Sequence, residues 1–228
     1  GQPLYNAMMP EYAGVSNDGQ ALYWVDADIA SSGISATAKP GTKHSSTTTD
    51  WSKASYYAQG SILPKANGGF STSLKVYDFD MSASFDYQLG GKVYDYGYQS
   101  LMSNVVTSGN GYTYSVDILK SWTPNNVSSN IPRFQYQDDY TSAKSTRFLT
   151  SAKYLNFQSF TVGYTIPSAL LKKINLSKVR IYVQGQNLCF WSARKGLDPR
   201  YSFSGQASTG IDSYAPVRTI MGGIQVSF

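Results

Sequence analysis

One cysteine, one histidine and one glutamate occur in 228 residues, and each scarcity removes a class of chemistry. Cys189 has no second cysteine with which to close an internal disulfide, and no Cys or His at metal-ligand spacing. His44 stands alone in a Ser/Thr-rich stretch. No run approaches the roughly 18 apolar residues that a spanning helix needs. Gly1–Tyr5 is not a charged segment leading into an apolar one, so neither a helical anchor nor a signal peptide is expected. Charge is scarce too: 19 basic and 14 acidic side chains make 14% of the chain, against roughly 25% in a typical soluble domain. The net charge of +5 arises from missing acids, with Glu11 the sole glutamate, and the Lys and Arg are scattered singly. There is no basic stripe to follow a phosphate backbone, so no nucleic-acid partner is expected.

What the chain has instead is aromatic: 19 Tyr, 10 Phe and 4 Trp equal the ionised side chains in number. It also has period. From Phe79 to Gly90, Phe79, Met81, Ala83, Phe85, Tyr87 and Leu89 alternate without error with Asp80, Ser82, Ser84, Asp86 and Gln88, a strand with one apolar face. Phe70, Thr72, Leu74 and Val76 alternate with Ser71, Ser73 and Lys75 just upstream. Only Tyr77-Asp78 is left for a turn, which predicts a tight hairpin. A third strand spans Lys153–Thr165, where Leu155 and Phe157 have one parity and Phe160, Val162 and Tyr164 the other. The switch near Gln158-Ser159 predicts a β-bulge that returns the apolar set to its face. A fourth runs from Val179 to about Leu188, with Val179, Ile181 and Val183 opposite in parity to Arg180, Tyr182 and Gln184. The last spans Val217–Phe228, with Ile220, Ile224, Val226 and Phe228 on one face, so the chain is expected to end inside a strand.

The connections alternate between short and very long. Tyr77-Asp78 and Pro167–Lys178 are compact, the latter with one helical turn expected at Ala169–Leu171. Roughly the first 65 residues, 91–147 and 191–215 have no sustained period and are expected to be long loops, with Ser31–Asp50 a Ser/Thr-rich surface excursion. Eleven residues at about 3.3 Å each, tilted by roughly 45°, rise about 25 Å, the height of the apolar band of an outer-membrane β-barrel. Alternation by itself fits a soluble β-sandwich as well, since that fold also has one core face and one wet face.

Three stretches bear on that choice. Tyr154-Leu155-Asn156-Phe157-Gln158-Ser159-Phe160-Thr161-Val162-Gly163-Tyr164-Thr165-Ile166-Pro167, then Val179–Leu188 (VRIYVQGQNL), then Gly196-Leu197-Asp198-Pro199, resemble the C-terminal block of the SusC/RagA family of TonB-dependent outer-membrane transporters. Leu63–Phe70 (LPKANGGF), Tyr87–Asp95 (YQLGGKVYD), Trp122–Asn126 (WTPNN), Ile131-Pro132-Arg133 and Tyr12–Val15 resemble further elements of that family in the same order. Asn156 stands where the family favours Arg, Cys189 where Thr or Ser is usual, and Arg200 replaces the acid after Asp-Pro. The resemblance implies an all-β fold: the C-terminal antiparallel strands and long extracellular loops of a transmembrane β-barrel of about 22 strands. Residues 1–228 would be the C-terminal portion, without the plug and N-terminal strands, because five strands cannot close a barrel.

Other constellations are weaker. Asp138-Asp139 could suggest paired carboxylates, but adjacent residues in a strand point opposite ways, and solvated loop acids are the simpler reading. Gly109-Asn110-Gly111-Tyr112 lacks the spacing and the helix of a phosphate loop, and the glycosylation triplets at Asn126 and Asn175 are routine in an Asn/Ser-rich chain. Rings at strand ends (Tyr87, Tyr164, Phe228) fit an interfacial girdle. Loop rings (Tyr94, Tyr96, Tyr98, Tyr112, Tyr114, Trp122, Tyr136, Tyr140, Tyr201) are expected to pack the loops together or against a partner.

No catalytic, cofactor-binding or metal site is expected, and no substrate-binding residue is assigned. As the resemblance implies, the protein would be part of a TonB-dependent importer in the outer membrane of a Gram-negative bacterium, taking up oligosaccharides or oligopeptides. Its partners would be the remainder of the barrel and plug, a SusD-like surface lipoprotein, the TonB complex through the absent N-terminal part, and outer-membrane lipid. Ile224, Val226 and Phe228 would form the assembly signal. The alternative from a different class is a secreted carbohydrate-binding β-sandwich module.

Overall fold

The computed structural model describes residues 5–26, 46–103, 113–135, 138, 140–172, 176–201 and 216–228. Among them the first strands are β1 (Asn6–Pro10), β2 (Tyr12–Val15), β3 (Ala21–Val25), β4 (Ser46–Thr48), β5 (Tyr56–Ser61) and β6 (Ala66–Val76). They are followed by β7 (Phe79–Leu89), β8 (Lys92–Tyr94), β9 (Leu149–Ser151), β10 (Tyr154–Thr165), β11 (Lys178–Ser192) and β12 (Thr219–Ser227). Two short helices, α1 (Tyr96–Leu101) and α2 (Ser168–Leu171), and several single 3-10 turns complete the elements. The fold is all-β, and all the strand pairings described are antiparallel.

The chain divides into two compact units, one of them formed by Pro64–Gly90, Ala152–Leu197 and Tyr214–Phe228. It is a five-stranded sheet in the order β12-β11-β10-β7-β6. The hairpin β6–β7 pairs without a slip from Val76 opposite Phe79 to Ala66 opposite Leu89. Its two-residue turn places Tyr77 at φ 52°, in the left-handed region that a bulky residue seldom enters. At the other end of β7, Gly90 and Gly91 have φ of 77° and 76°, two successive left-handed residues that glycine accepts without steric cost.

The predicted bulge is present. β10 loses register against both neighbours between Phe157 and Ser159, and Gln158 is the extra residue relative to β7. As a result Leu155 and Phe157 below the bulge and Phe160, Val162 and Tyr164 above it all face the same way as Tyr87, Phe85, Ala83, Met81 and Phe79, their cross-strand partners. β11 carries a second irregularity that sequence parity does not reveal. Between the pairs Ser159–Gln186 and Phe157–Cys189 it holds two residues, Asn187 and Leu188, and Asn187 has φ 49°.

The register therefore sorts the sheet into two faces. One carries Leu74, Met81, Val162, Val183 and Gly222 in one row and Val76, Phe79, Tyr164, Ile181 and Ile224 in another. These large apolar side chains are open: Phe79 is 57% exposed, Val183 55%, Ile224 67%. Among the described residues nothing covers them as the second layer of a sandwich would. Ring contacts run across this face, with Phe70–Phe85 and Phe85–Phe157 stacked at 4.8 and 4.5 Å and Phe79–Tyr164 at 4.7 Å. The opposite face carries Ser, Thr, Gln, Asn and the few charges.

The other unit is formed by Gly1–Leu63, Gly91–Ser151 and Asp198–Ser213. It contains the pair β1–β5, the three-stranded β2-β3-β4 and the pair β8–β9. One part of its core is Ala7, Met9, Tyr94, Met102 and Phe148; another is Ala21, Tyr23 and Ala54. Tyr23 and Tyr57 are wholly buried.

Several sequence expectations are corrected here. Where they are described, the first 65 residues and the 91–147 region hold short strands of 3–6 residues and the helix α1, whereas most of Ser31–Asp50 and of 191–215 lies outside the described residues. Such strands are too short for alternation to register, and their tyrosines serve on buried faces where a strand reading expects aliphatics. β6 begins at Ala66, four residues before its first ring, because glycines supply the ladder there. β11 continues to Ser192, past the expected end. The last strand begins at Thr219 and stops at Ser227, so Phe228 follows the strand and is 93% exposed. The turn expected at Ala169–Leu171 is α2.

Facing can be tested by charge. If the sheet spans a bilayer, as the sequence resemblance implies, Arg in place of Ala83 or Val183, on the apolar face, should impair assembly by roughly 2–4 kcal/mol near the midplane, whereas Arg at Ser82 or Gln184 should be tolerated. Quantifying folded, membrane-inserted protein for the four variants checks this; equal damage from both parities would contradict the assignment.

Candidate functional site

The polar face of the sheet concentrates the charged side chains. Arg180 on β11 donates from Nε to Oδ1 of Asp80 at 2.8 Å and from its terminal nitrogen to Oδ2, reaching across β10 to do so. The space for this is made by Gly163 on the intervening strand, where a Cβ would fall 2.4 Å from the guanidinium. Tyr182 lies in the same way over β12: a Cβ at Gly223 would meet its ring at 2.6 Å. The Arg180 guanidinium is 5.1 Å from the centre of the Tyr182 ring. Further along the face, the Ser84 and Ser159 hydroxyls are 2.6 Å apart, and buried Asn156 donates to Asp86 at 2.7 Å. This is a hydrogen-bonding surface with fixed charges.

The apolar face carries two of the three expected assembly residues. Ile224 pairs with Ile181 and Val226 with Val179. Phe228 stands outside the ladder. Free Cys189 is exposed, opposite Phe157 in the row of stacked rings.

In the other unit the structure brings together three motifs that are far apart in sequence. The Trp122 amide donates to the Ile131 carbonyl at 2.8 Å, and the Arg133 amide to the Gly19 carbonyl at 2.8 Å. Gly19 has φ 86°, and a Cβ there would lie 2.5 Å from the Trp122 ring, so only glycine fits. Tyr12 Oη donates to the Asn130 carbonyl at 3.0 Å. The stretches Tyr12–Val15, Trp122–Asn126 and Ile131–Arg133 thus form one knot, whose separate pieces carried the sequence resemblance.

Tyrosines supply the rest of this unit's framework. Tyr23 Oη donates to the Tyr140 carbonyl at 2.5 Å, Tyr57 Oη to Asp26 Oδ2 at 2.6 Å and Tyr98 Oη to Asp117 Oδ2 at 2.9 Å. Burial pushes the Tyr12 phenol up to about 12, against the pull of the Arg147 cation, and raises Tyr23, Tyr57 and Tyr94 further. Burial also lowers Arg147, which donates to the Thr141 carbonyl at 2.6 Å and lies 5.0 Å from the Phe148 ring centre.

Several of the loop rings expected to pack together do so: Tyr94 lies against Tyr96 and Phe148, Tyr98 against Phe148, and Tyr114 against Phe134, whereas Tyr140 is exposed. Asp138 accepts from the Thr141 amide at 3.2 Å and lines a cavity of about 210 Å³ with Gln20, Ala21, Thr49, Asp50 and Tyr140. Asp50 is held below the usual carboxylate range by its bonds from Ser52. His44, Gly109–Tyr112, Tyr136, Asp139 and Asn175 lie outside the described residues, as does the Tyr201 side chain.

No model of a known protein family matches the chain. It is 28% identical to TonB-dependent receptor P3 of Formosa agariphila over 177 residues, and 26% identical to TonB-dependent receptor P26 of the same organism over 176. Each alignment covers 74% of this chain but only 17% of the relative, so the chain spans a small part of these receptors' length. Among solved structures it is similar to the RagAB peptide importer in its closed-closed state, with TM-score 0.73, 22% identity, and coverage of 97% of this chain and 23% of that one. In the open-open state the values are 0.70, 24%, 97% and 22%. The resemblance seen in the motifs is thereby borne out: the chain is similar to TonB-dependent receptors and has the all-β fold of the RagAB neighbours.

The buried tyrosines set an alkaline limit. Their pKa values lie above the ordinary 10, so their contribution to stability is fully present below pH 10. It is lost as pH rises from 10 through about 12 and beyond, because the unfolded phenols ionise first. Followed together in detergent, phenolate absorbance and protease resistance should change in step for these residues. Complete tyrosine ionisation near pH 10 with resistance retained would contradict their burial.

Proposed function

We propose that the chain forms the last strands and large extracellular loops of the β-barrel of a TonB-dependent outer-membrane importer. The observation that carries this reading is the five-stranded sheet itself, fully laddered inside, with one face of open apolar side chains and one face of polar ones. In hydrocarbon every backbone polar group must be paired within the protein. The outer sides of β6 and β12 therefore call for further strands, which the rest of the barrel would supply. The relatives are receptors and an importer by name, which speaks for transport and against an enzyme. A sandwich would cover the apolar face, so the secreted binding module is set aside.

The cargo under this reading is an oligosaccharide or an oligopeptide, with the name of the RagAB peptide importer favouring the peptide. A SusD-like surface lipoprotein would work with the barrel, and energy would arrive through TonB. Ile224, Val226 and Phe228 would be the feature that outer-membrane assembly machinery recognises.

In the transporter that contains this chain, deleting Phe228 or making Phe228→Asp should sharply lower the amount of heat-modifiable, membrane-inserted barrel. Ser227→Asp, on the polar parity, should do much less. Normal insertion of the Phe228 variants would remove that residue from the assembly signal. Recovery of the wild-type protein as a soluble species in place of an outer-membrane, heat-modifiable one would overturn the barrel reading as a whole. Uptake of labelled oligopeptides and oligosaccharides, with and without TonB, then separates the two cargo classes.

A further inference from the structure

Two cations in the 141–148 segment have no counter-charge. Lys144 is exposed, with Nζ 5.8 Å from the centre of the Tyr94 ring and 6.0 Å from that of Tyr96. Arg147 is partly buried against two rings, its guanidinium carbon 5.0 Å from the Phe148 centre and 5.8 Å from that of Tyr12. Neither forms an ion pair among the described residues. Carboxylates of the same unit are engaged elsewhere: Asp50 by Ser52 and Lys53, Asp117 by Lys120 and Tyr98, and Asp26 by Tyr57. Taking a cation out of water is costly unless an opposite charge meets it, so Arg147 lacks the partner its position calls for.

The guanidinium itself indicates what kind of partner is missing. Among the described residues it makes one hydrogen bond, from Nη1 to the Thr141 carbonyl at 2.6 Å, which leaves Nε and Nη2. That edge presents two N–H groups side by side, the geometry that matches the two oxygens of a carboxylate. Elsewhere in the chain the same edge is used in this way: Arg180 meets Asp80 through Nε and Nη2, and Arg200 meets Asp198 through the same pair of nitrogens. At Arg147 no carboxylate of the described chain arrives. None of its nitrogens is among the enclosed polar atoms that lack a partner, so the edge is open to a ligand. Thr141, whose carbonyl holds Nη1, is 3% exposed, and its hydroxyl has no partner either.

We infer that the Nε and Nη2 edge of Arg147 is a binding site for a carboxylate carried by the cargo, with Lys144 adding to the local positive field. The inference rests on the importer reading above, which supplies the cargo, and it narrows that cargo by chemistry. An acidic oligopeptide and an oligosaccharide that contains a uronic acid both present the same group.

The test uses the purified, heat-modifiable transporter that contains this chain. The probes are a short peptide with a central Glu and both ends blocked, the same peptide with Gln, trigalacturonate, and its methyl ester. In at least one of the two pairs the wild-type protein should bind the acidic probe about tenfold more tightly than its uncharged counterpart, and the pair that does so identifies the source of the carboxylate. Arg147→Lys keeps the charge and loses the paired edge, so it should abolish most of that preference, with protease resistance of the loops as the control for folding. Lys144→Gln should lower the preference several-fold. Equal affinities within both pairs, no binding of either acidic probe, or a preference that survives Arg147→Lys would overturn the inference. Phenylglyoxal, which modifies unpaired guanidinium groups, gives a reading on the wild-type protein alone. Modification of Arg147, followed by peptide mass spectrometry, should be slowed several-fold by the preferred acidic probe and not by its counterpart. An unprotected Arg147 would overturn the inference whether or not the variants fold. All these failures leave the importer reading intact, whereas absence of heat-modifiable wild-type protein, or of any TonB-dependent uptake, would strike that reading itself.

Discussion

On the barrel reading proposed above, a strand in hydrocarbon can place its backbone amides and carbonyls only on another strand, and the rest of the sheet would follow from that constraint. It demands long, continuous ladders, and β6, β7, β10, β11 and β12 supply them with nine to fifteen residues each. It would then leave the side chains to meet two solvents, one on each face. Error-free alternation along Phe79–Leu89 is the result, because a single slip would carry every side chain to the wrong face.

The same constraint explains what could be read in advance. The bulge at Gln158 was legible because one extra residue reverses parity, so Phe157 and Phe160 visibly change step. The irregularity at Asn187-Leu188 was not, because two extra residues restore parity and Val183, Cys189 and Trp191 still fall on odd positions. Its trace in the structure is the left-handed Asn187. Strand ends were less legible than strand centres: glycines at Gly68 and Gly69 carry no apolar signal, yet they continue the ladder of β6.

The second unit obeys different rules and was mostly invisible to pattern. Buried tyrosines share its core with Ala, Met and Phe, and two of them bury their rings while placing their hydroxyls on a carbonyl and a carboxylate, Tyr23 on Tyr140 and Tyr57 on Asp26. Neither a period of 2 nor one of 3.6 marks such residues, since their partners are more than thirty positions away or in other loops. What could be read was the composition, in which rings equal charges, and the separate motifs around Tyr12, Trp122 and Arg133. Only the structure joins those motifs, through Gly19 and the Trp122 ring.

The central claim is that one face of the five-stranded sheet meets lipid and the other a water-filled or protein-filled interior. Spin labels placed one at a time at positions 79–89 of the assembled transporter in bilayers, with Cys189 replaced by Ser, test it most directly. Collisions with oxygen, which partitions into lipid, should peak at 79, 81, 83, 85, 87 and 89. Collisions with a water-soluble nickel complex should be greater at the even positions. A profile without the two-residue period, or one in which the odd positions are the water-accessible set, would contradict the account.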